Sequence, residues 1–184
     1  MLFLPTNIAG LLILQLEKLS DERGYFARQW CQRELEQHGL DGRCAQINTA
    51  FSPLRGTLRG LHFQLAPKAE VKIVRCPRGA LFDVAVDLRA DSPTCGQWYG
   101  LELTPENGRM LYIPEGMAHG FQTLRPNTEM SYQASEFFSA AHARGIRYND
   151  PQFAIDWPLP VHCISEKDRD CPDWMPSWTV AGRR

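Results

Sequence analysis

Residues Ala80-Leu81-Phe82-Asp83-Val84-Ala85-Val86-Asp87-Leu88 alternate in a way only an extended strand can use. Successive side chains on a strand point to opposite faces, so Phe82, Val84, Val86 and Leu88 share one face while Asp83 and Asp87 lie on the other. One face is therefore expected to be core and the other polar or functional. Around this stretch lie further short segments rich in β-branched and aromatic residues, at 71–75, 97–103, 110–113, 120–124 and 130–134. Pro77-Arg78-Gly79, Asp91-Ser92-Pro93, Pro105-Glu106-Asn107-Gly108 and Pro126-Asn127 supply turn chemistry between them. Short strands at this spacing predict a mainly β chain folded as an antiparallel sandwich or barrel.

The flanks add little regular structure. Residues 27–37 are good helix formers followed by Gly39, which predicts a helix with a glycine C-cap. A second short helix is expected near Ser139. The apolar run 8–16 reads as an N-terminal strand, because it is broken by Gly10 and Gln15 and is about half the length a membrane span requires. From Pro151 onward the chain is rich in Pro and Trp and is expected to wrap over the barrel. With no repeat, low-complexity segment or linker, residues 1–184 read as one domain with a wrapping segment at 151–184.

Composition narrows the function. Twenty Lys+Arg against 21 Asp+Glu, in a chain of 184 residues that is 43% hydrophobic, describe an ordinary globular protein with net charge −1. That balance argues against a nucleic-acid or anionic-membrane surface, which needs excess basic charge. Any phosphate must meet a local basic cluster. The six cysteines show no Cys-x-x-Cys spacing and read as reduced thiols of a cytoplasmic protein.

Two of the five histidines sit in informative surroundings; His38, His142 and His162 read as helix-end or surface residues. His62 follows Arg55-Gly56-Thr57-Leu58-Arg59-Gly60-Leu61, where glycines permit close backbone approach and arginines suit phosphate. His119 ends the Pro114-Glu115-Gly116-Met117-Ala118-His119 turn, a pattern similar to that of cupin barrels. A metal cupin carries His-x-His and then Glu, whereas this chain has His62-Phe63-Gln64 with its nearest acid at Glu70. No metal and no cofactor are expected from that donor set. On the residues alone, Lys72 reads as a solvated strand residue, Tyr132 as a barrel-face aromatic, and Asp83 and Asp87 as strand-face carboxylates.

The order of motifs is more specific. Asp21-Glu22-Arg23-Gly24-Tyr25-Phe26, Gln46-Ile47-Asn48, Leu58-Arg59-Gly60-Leu61-His62-Phe63-Gln64, 82–89, 113–121, Arg144-Gly145-Ile146-Arg147-Tyr148-Asn149-Asp150-Pro151, Ile155-Asp156-Trp157-Pro158 and Ser165-Glu166-Lys167-Asp168 follow one another. Together they resemble the dTDP-4-dehydrorhamnose 3,5-epimerase family, a metal-independent branch of the cupins. The resemblance implies a cupin-like antiparallel jelly roll with a few short peripheral helices. It also implies an isomerase of dTDP-rhamnose, deoxysugar and polysaccharide biosynthesis.

The substrate so implied is a nucleotide-diphospho-4-keto-6-deoxyhexose, inverted at C3 and C5 through an enolate. By the same resemblance, His62 is the base, oriented by Asp168; histidine titrates near neutrality and suits that task. Lys72 and His119 lie where a cation stabilises the oxyanion, and Tyr132 returns a proton on the opposite face. Arg23, Gln46, Asn48, Arg59 and Lys167 match substrate contacts.

Arg28 departs from the pattern, standing where the family has a glutamate, and Ala143 replaces another. A glutamate can accept from thymine N3–H and an arginine cannot, so Arg28 points toward a CDP- or GDP-linked sugar or an extra phosphate contact. A single-centre 3- or 5-epimerase uses the same residues. A metal-dependent cupin oxygenase and a non-catalytic sugar-nucleotide binder are the alternatives from other classes. The resemblance further implies a homodimer, with the N-terminal strand pairing across to the partner barrel and residues 11–16 as a covered edge.

Overall fold

The computed structural model describes residues 1–178. Two antiparallel sheets face one another. The first has the order β1 (Leu2–Pro5), β2 (Leu12–Gln15), β10 (Arg109–Ile113), β7 (Lys72–Arg78), β12 (Thr128–Ala134), β5 (Gln46–Ser52). The second runs β13 (Ala143–Gly145), β6 (Thr57–Gln64), β11 (Met117–Thr123), β8 (Leu81–Asp87), β9 (Trp98–Leu103), with β14 (Cys163–Ile164) parallel to β6. A hairpin of β3 (Leu19–Asp21) and β4 (Gly24–Phe26) stands apart. This is the mainly β, cupin-like jelly roll that the strand spacing and the motif order imply.

Alternation along β8 explains how two apolar layers arise. Its odd positions Leu81 and Ala85 join Val74, Leu111, Leu103 and Phe121 between the sheets. Its even positions Val84 and Val86, with Leu88, pack outward under Phe153, Ile155, Trp157, Trp174 and Trp178 of the C-terminal segment. Both faces of β8 are thus buried, and Asp83 and Asp87 are fully enclosed on the interior side. The face expected to be polar or functional is buried rather than solvent-exposed, and its Asp83 meets His119 of the cavity wall; the wrapping segment covers the apolar face. Asp87 is satisfied by Arg89, Ser92 and Thr94, and the Arg89 guanidinium continues to the Ala9 carbonyl at 2.6 Å.

The outer face of the first sheet is closed by α1 (Gln32–Gln37), whose Leu35 packs with Leu14, Ile73, Met110 and Trp30. The helix begins five residues later than the expected 27: residues 27–30 form no regular element, Cys31 is extended at the N-cap, and Gln29 accepts a hydrogen bond from Arg75. Its end matches the expectation: Gly39 adopts φ +69°, and the Gly39 and Leu40 N–H groups donate to the Glu36 and Leu35 carbonyls. No helix forms near Ser139. There the Ser139 carbonyl accepts from His142 and Ala143 N–H in a single turn that leads into β13.

Residues 8–16 do not form one strand or an edge. The chain turns at 7–10, and β2 lies between β1 and β10.

Candidate active site

The motif Leu58-Arg59-Gly60-Leu61-His62 and the motif His119-Gly120-Phe121 become neighbouring strands. His62 and His119 are direct partners across β6 and β11, with a bulge between His119 and Phe121. Gly60 and Gly120 permit this approach. A Cβ on Gly60 would lie 2.6 Å from the Gly120 Cα, and one on Gly120 would lie 2.8 Å from the Arg59 carbonyl oxygen. Only glycine fits where two backbones come this close.

Each histidine has its own aspartate. His62 Nε2 is 2.8 Å from Asp168 Oδ1, and the Gly60 N–H donates to Asp168 Oδ2 at 3.2 Å. Asp168 sits in α2 (Glu166–Arg169), whose N-cap Ser165 accepts from the Asp168 N–H at 3.1 Å. Burial pushes the Asp168 carboxyl up, but His62, the Gly60 N–H and Ser165 outweigh it and hold the group below the usual carboxylate range. This arrangement fixes the ring orientation and leaves His62 Nδ1 unengaged by Asp168. His119 Nε2 meets Asp83 Oδ1, also at 2.8 Å, but this pair is buried. Among the described residues Asp83 Oδ2 has no hydrogen-bond partner.

A cavity of about 400 Å³ opens over these strands. Lys72, only 7% exposed, enters it from β7, donating to the His62 carbonyl at 3.3 Å and pairing with Glu70 Oε1 at 3.1 Å. Its Nζ lies 5.8 Å from the Tyr132 ring centroid. Tyr132 on β12 faces its direct strand partner Asn48 on β5. Burial raises the Tyr132 phenol above its ordinary pKa, the Glu70 charge adds to this, and a hydrogen bond with Asn48 opposes it.

Eight of the sequence candidates line this cavity: His62, His119, Lys72, Tyr132, Asp168, Asn48, Arg59 and Lys167. Arg59 is held by Ser52 Oγ and the Phe51 carbonyl. Three candidates lie outside its wall. Gln46 accepts from the Phe138 N–H at 2.6 Å. Arg23 is 84% exposed on the β3–β4 hairpin and paired with Asp21, and Arg28 pairs with Glu34 of α1 at 2.9 Å.

Glu70, Arg144 and Phe138 line the cavity without having been picked out as site residues. The spacing Glu70-Val71-Lys72, which places acid and amine on one side of an extended chain, was the available signal for Glu70. Gln64, standing where a metal cupin has its second histidine, spends its amide on structure. Its two N–H groups are shared among the Lys68 and Phe137 carbonyls and Glu70 Oε2, and its oxygen accepts from the Ser139 N–H. Among the described residues no group of three His, Cys, Asp or Glu is placed to hold a metal ion.

Known proteins share this architecture. The family model for dTDP-4-dehydrorhamnose 3,5-epimerase matches residues 5–175. A dTDP-4-dehydrorhamnose 3,5-epimerase of Sinorhizobium fredii is 44% identical over 173 residues, spanning 94% of this chain and 89% of that protein. A dTDP-4-dehydrorhamnose 3-epimerase of Streptomyces niveus is 38% identical over 90% of this chain and 80% of its own. The crystal structure of the Bacillus anthracis 3,5-epimerase, with TDP and PPi bound, superposes with a TM-score of 0.90 at 41% identity, covering 94% of this chain and 98% of that one. With the family model spanning nearly the whole chain and such relatives at both levels, this chain belongs to the dTDP-4-dehydrorhamnose 3,5-epimerase family.

Proposed function

We propose that this chain is an isomerase of dTDP-4-dehydro-6-deoxyglucose, inverting C3 and C5 to give the dTDP-4-dehydrorhamnose configuration. The observation that carries this reading is the placing of Lys72 against both the His62 strand and the Tyr132 ring, in one cavity, with Asp168 behind His62.

A 4-keto group acidifies the C–H bonds on either side of it. His62 removes such a proton through Nδ1, the electron pair moves into the C–C bond, and the carbonyl oxygen takes the negative charge. Lys72, with His119 lining the same cavity, stabilises that oxyanion; donors preorganised in a dry site favour the enolate because they need not reorganise. Tyr132 then delivers its phenolic proton to the opposite face of the carbon. The phenolate regains a proton from solvent and the imidazolium releases one, so protons balance and the centre is inverted. Asp168 is a positioning residue that holds His62 by its other nitrogen. Asn48, Arg59 and Lys167 bind the nucleotide-sugar within the cavity.

Support for dTDP as the nucleotide comes from the TDP bound in the Bacillus anthracis structure and from the family's named substrate. The Arg28 guanidinium is engaged by Glu34, which weakens the case for CDP or GDP. Gln46 and Arg23 are assigned to substrate by resemblance alone, and Arg28 by its place where the family has a glutamate. The Streptomyces niveus relative favours a second reading, inversion at C3 only.

The chain acts as a single catalytic domain in a cytoplasmic homodimer. Exposed apolar groups support the dimer: Leu19, Tyr25 and Phe26 on the β3–β4 hairpin, and Ile47 and Phe51 on edge strand β5. Free cysteines throughout fit a reducing compartment, and no helix among the described residues is long and apolar enough to cross a membrane. Turnover of dTDP-, CDP- and GDP-linked 4-keto-6-deoxyglucose, with NMR of the product's C3 and C5 configuration, tests the reading. It expects the dTDP sugar to be preferred and both centres inverted. A preferred CDP or GDP sugar would refute the nucleotide, inversion at C3 alone would select the second reading, and inversion at C5 alone would refute both.

A further inference from the structure

Lys72 and Tyr132 act in the proton transfer, while the half-buried carboxylate that pairs with Lys72 has no part in it. Glu70 lies just ahead of β7 with its side chain 12% exposed. One oxygen meets Lys72 Nζ at 3.1 Å, and the other accepts from the Gln64 amide at 3.3 Å. Gln64 is itself fixed by the Lys68 and Phe137 carbonyls and the Ser139 N–H, so the carboxylate is anchored at both ends. Such an anchor holds an ammonium in one place far better than the flexible lysine stem can.

We propose that Glu70 is a positioning residue for proton return: anchored to Gln64, it holds Lys72 between the His62 carbonyl and the Tyr132 ring and offsets the lysine's charge beside the phenol. This rests on the reading of Tyr132 as the acid. A phenol beside a lysine alone would ionise more readily, since a nearby cation favours phenolate; an adjacent carboxylate restores the balance.

The other charges around Tyr132 do not substitute for it. Asp168 is committed to His62 and Asp83 to His119. From the facing strands come the cations Arg59 on β6 and Arg144 on β13, and from α2 comes Lys167; none of the three carries the negative charge that would oppose ionisation of the phenol. β5 presents the neutral Asn48. On β7, Arg75 turns to Gln29 on the outer face. Glu70 is therefore the carboxylate that opposes ionisation of Tyr132, in line with its raising effect on that phenol.

The test is titration of the Tyr132 ring carbon by ¹³C NMR in the full chain, with Tyr132→Phe used to assign the signal. Glu70→Gln preserves shape and removes the charge, and Lys72→Met removes the cation. The proposal expects the Tyr132 midpoint to fall by about one unit in Glu70→Gln and to rise by a similar amount in Lys72→Met. It also expects the alkaline limb of kcat in Glu70→Gln to move to lower pH. An unmoved midpoint in Glu70→Gln, or shifts of the same sign in both variants, overturns it, because a merely structural disturbance would not depend on the sign of the charge removed. The titration needs no turnover, so failure of the epimerase reading would show separately, as a wild type with normal Tyr132 titration and no activity.

Discussion

His62 and His119 stand directly opposite one another on β6 and β11, and each imidazole touches an aspartate at 2.8 Å, yet the two pairs differ in their surroundings. The His62 side chain is 43% exposed to the cavity and Asp168 has both oxygens engaged. The His119 side chain is 7% exposed, over an Asp83 with one oxygen unpartnered among the described residues. The His62 pair is open to ligand and water, while His119 reaches the cavity wall from a pair that is otherwise buried.

That contrast separates the two histidines by experiment. His62→Asn is expected to cut turnover by about 10²–10⁴-fold, the scale of a lost general base, with little change in Tm. His119→Leu leaves the Asp83 carboxylate buried and unpaired, which costs about 3–5 kcal/mol. Thermal unfolding of both variants checks this: a large loss of Tm for His62→Asn, or none for His119→Leu, contradicts it.

Tyr132→Phe keeps the ring and removes the proton. The base remains, so in D₂O the carbon should still exchange its proton, but deuterium should return from the side of abstraction and the configuration be retained. NMR of recovered sugar distinguishes this from inversion at the wild-type rate, which would remove Tyr132 from the mechanism.

Gly120→Ala tests the backbone contact that brings the two histidines together. The new methyl would lie 2.8 Å from both the Arg59 carbonyl and the Leu61 side chain. Overpacking of this kind costs about 1–3 kcal/mol. Denaturant unfolding should show that loss, along with reduced activity, because His119 and its strand must shift. Unchanged stability would mean the strands part without strain.

Asp87 predicts an acid-dependent part of stability. Burial raises its carboxyl, but Arg89, Ser92 and Thr94 outweigh that and leave it below its ordinary 3.8. A carboxyl depressed in the folded state stabilises fully above its unfolded pKa, and that stabilisation fades as pH falls through the folded value. Asp87→Asn should therefore lower Tm at neutral pH, and the gap to wild type should narrow on acidification below about pH 4. A gap independent of pH would show that the loss is steric.

The fold was legible where pairing leaves a local trace. The alternation at 80–88 and the β-rich segments at 71–75 and 130–134 mark strands because their side chains repeat with the pleat. β1, β13 and β14 were not legible: each is two to four residues long and exists through its partner, as Cys163 does opposite Thr57. α2 could have been read from Ser165-Glu166-Lys167-Asp168, where a serine caps the third residue after it. The cavity wall was largely legible because the motifs carry its residues together. Glu70 was visible only as a displaced acid, because its place in the site depends on Gln64 and Lys72 meeting it in space.

The central claim is that His62 takes a proton from carbon beside a ketone. Proton NMR in D₂O with dTDP-4-dehydro-6-deoxyglucose, comparing wild type with His62→Asn, reads that step directly as deuterium entering C3 and C5. Deuterium at both carbons with wild type and at neither with His62→Asn is the predicted result; wash-in by the variant at the wild-type rate would contradict it.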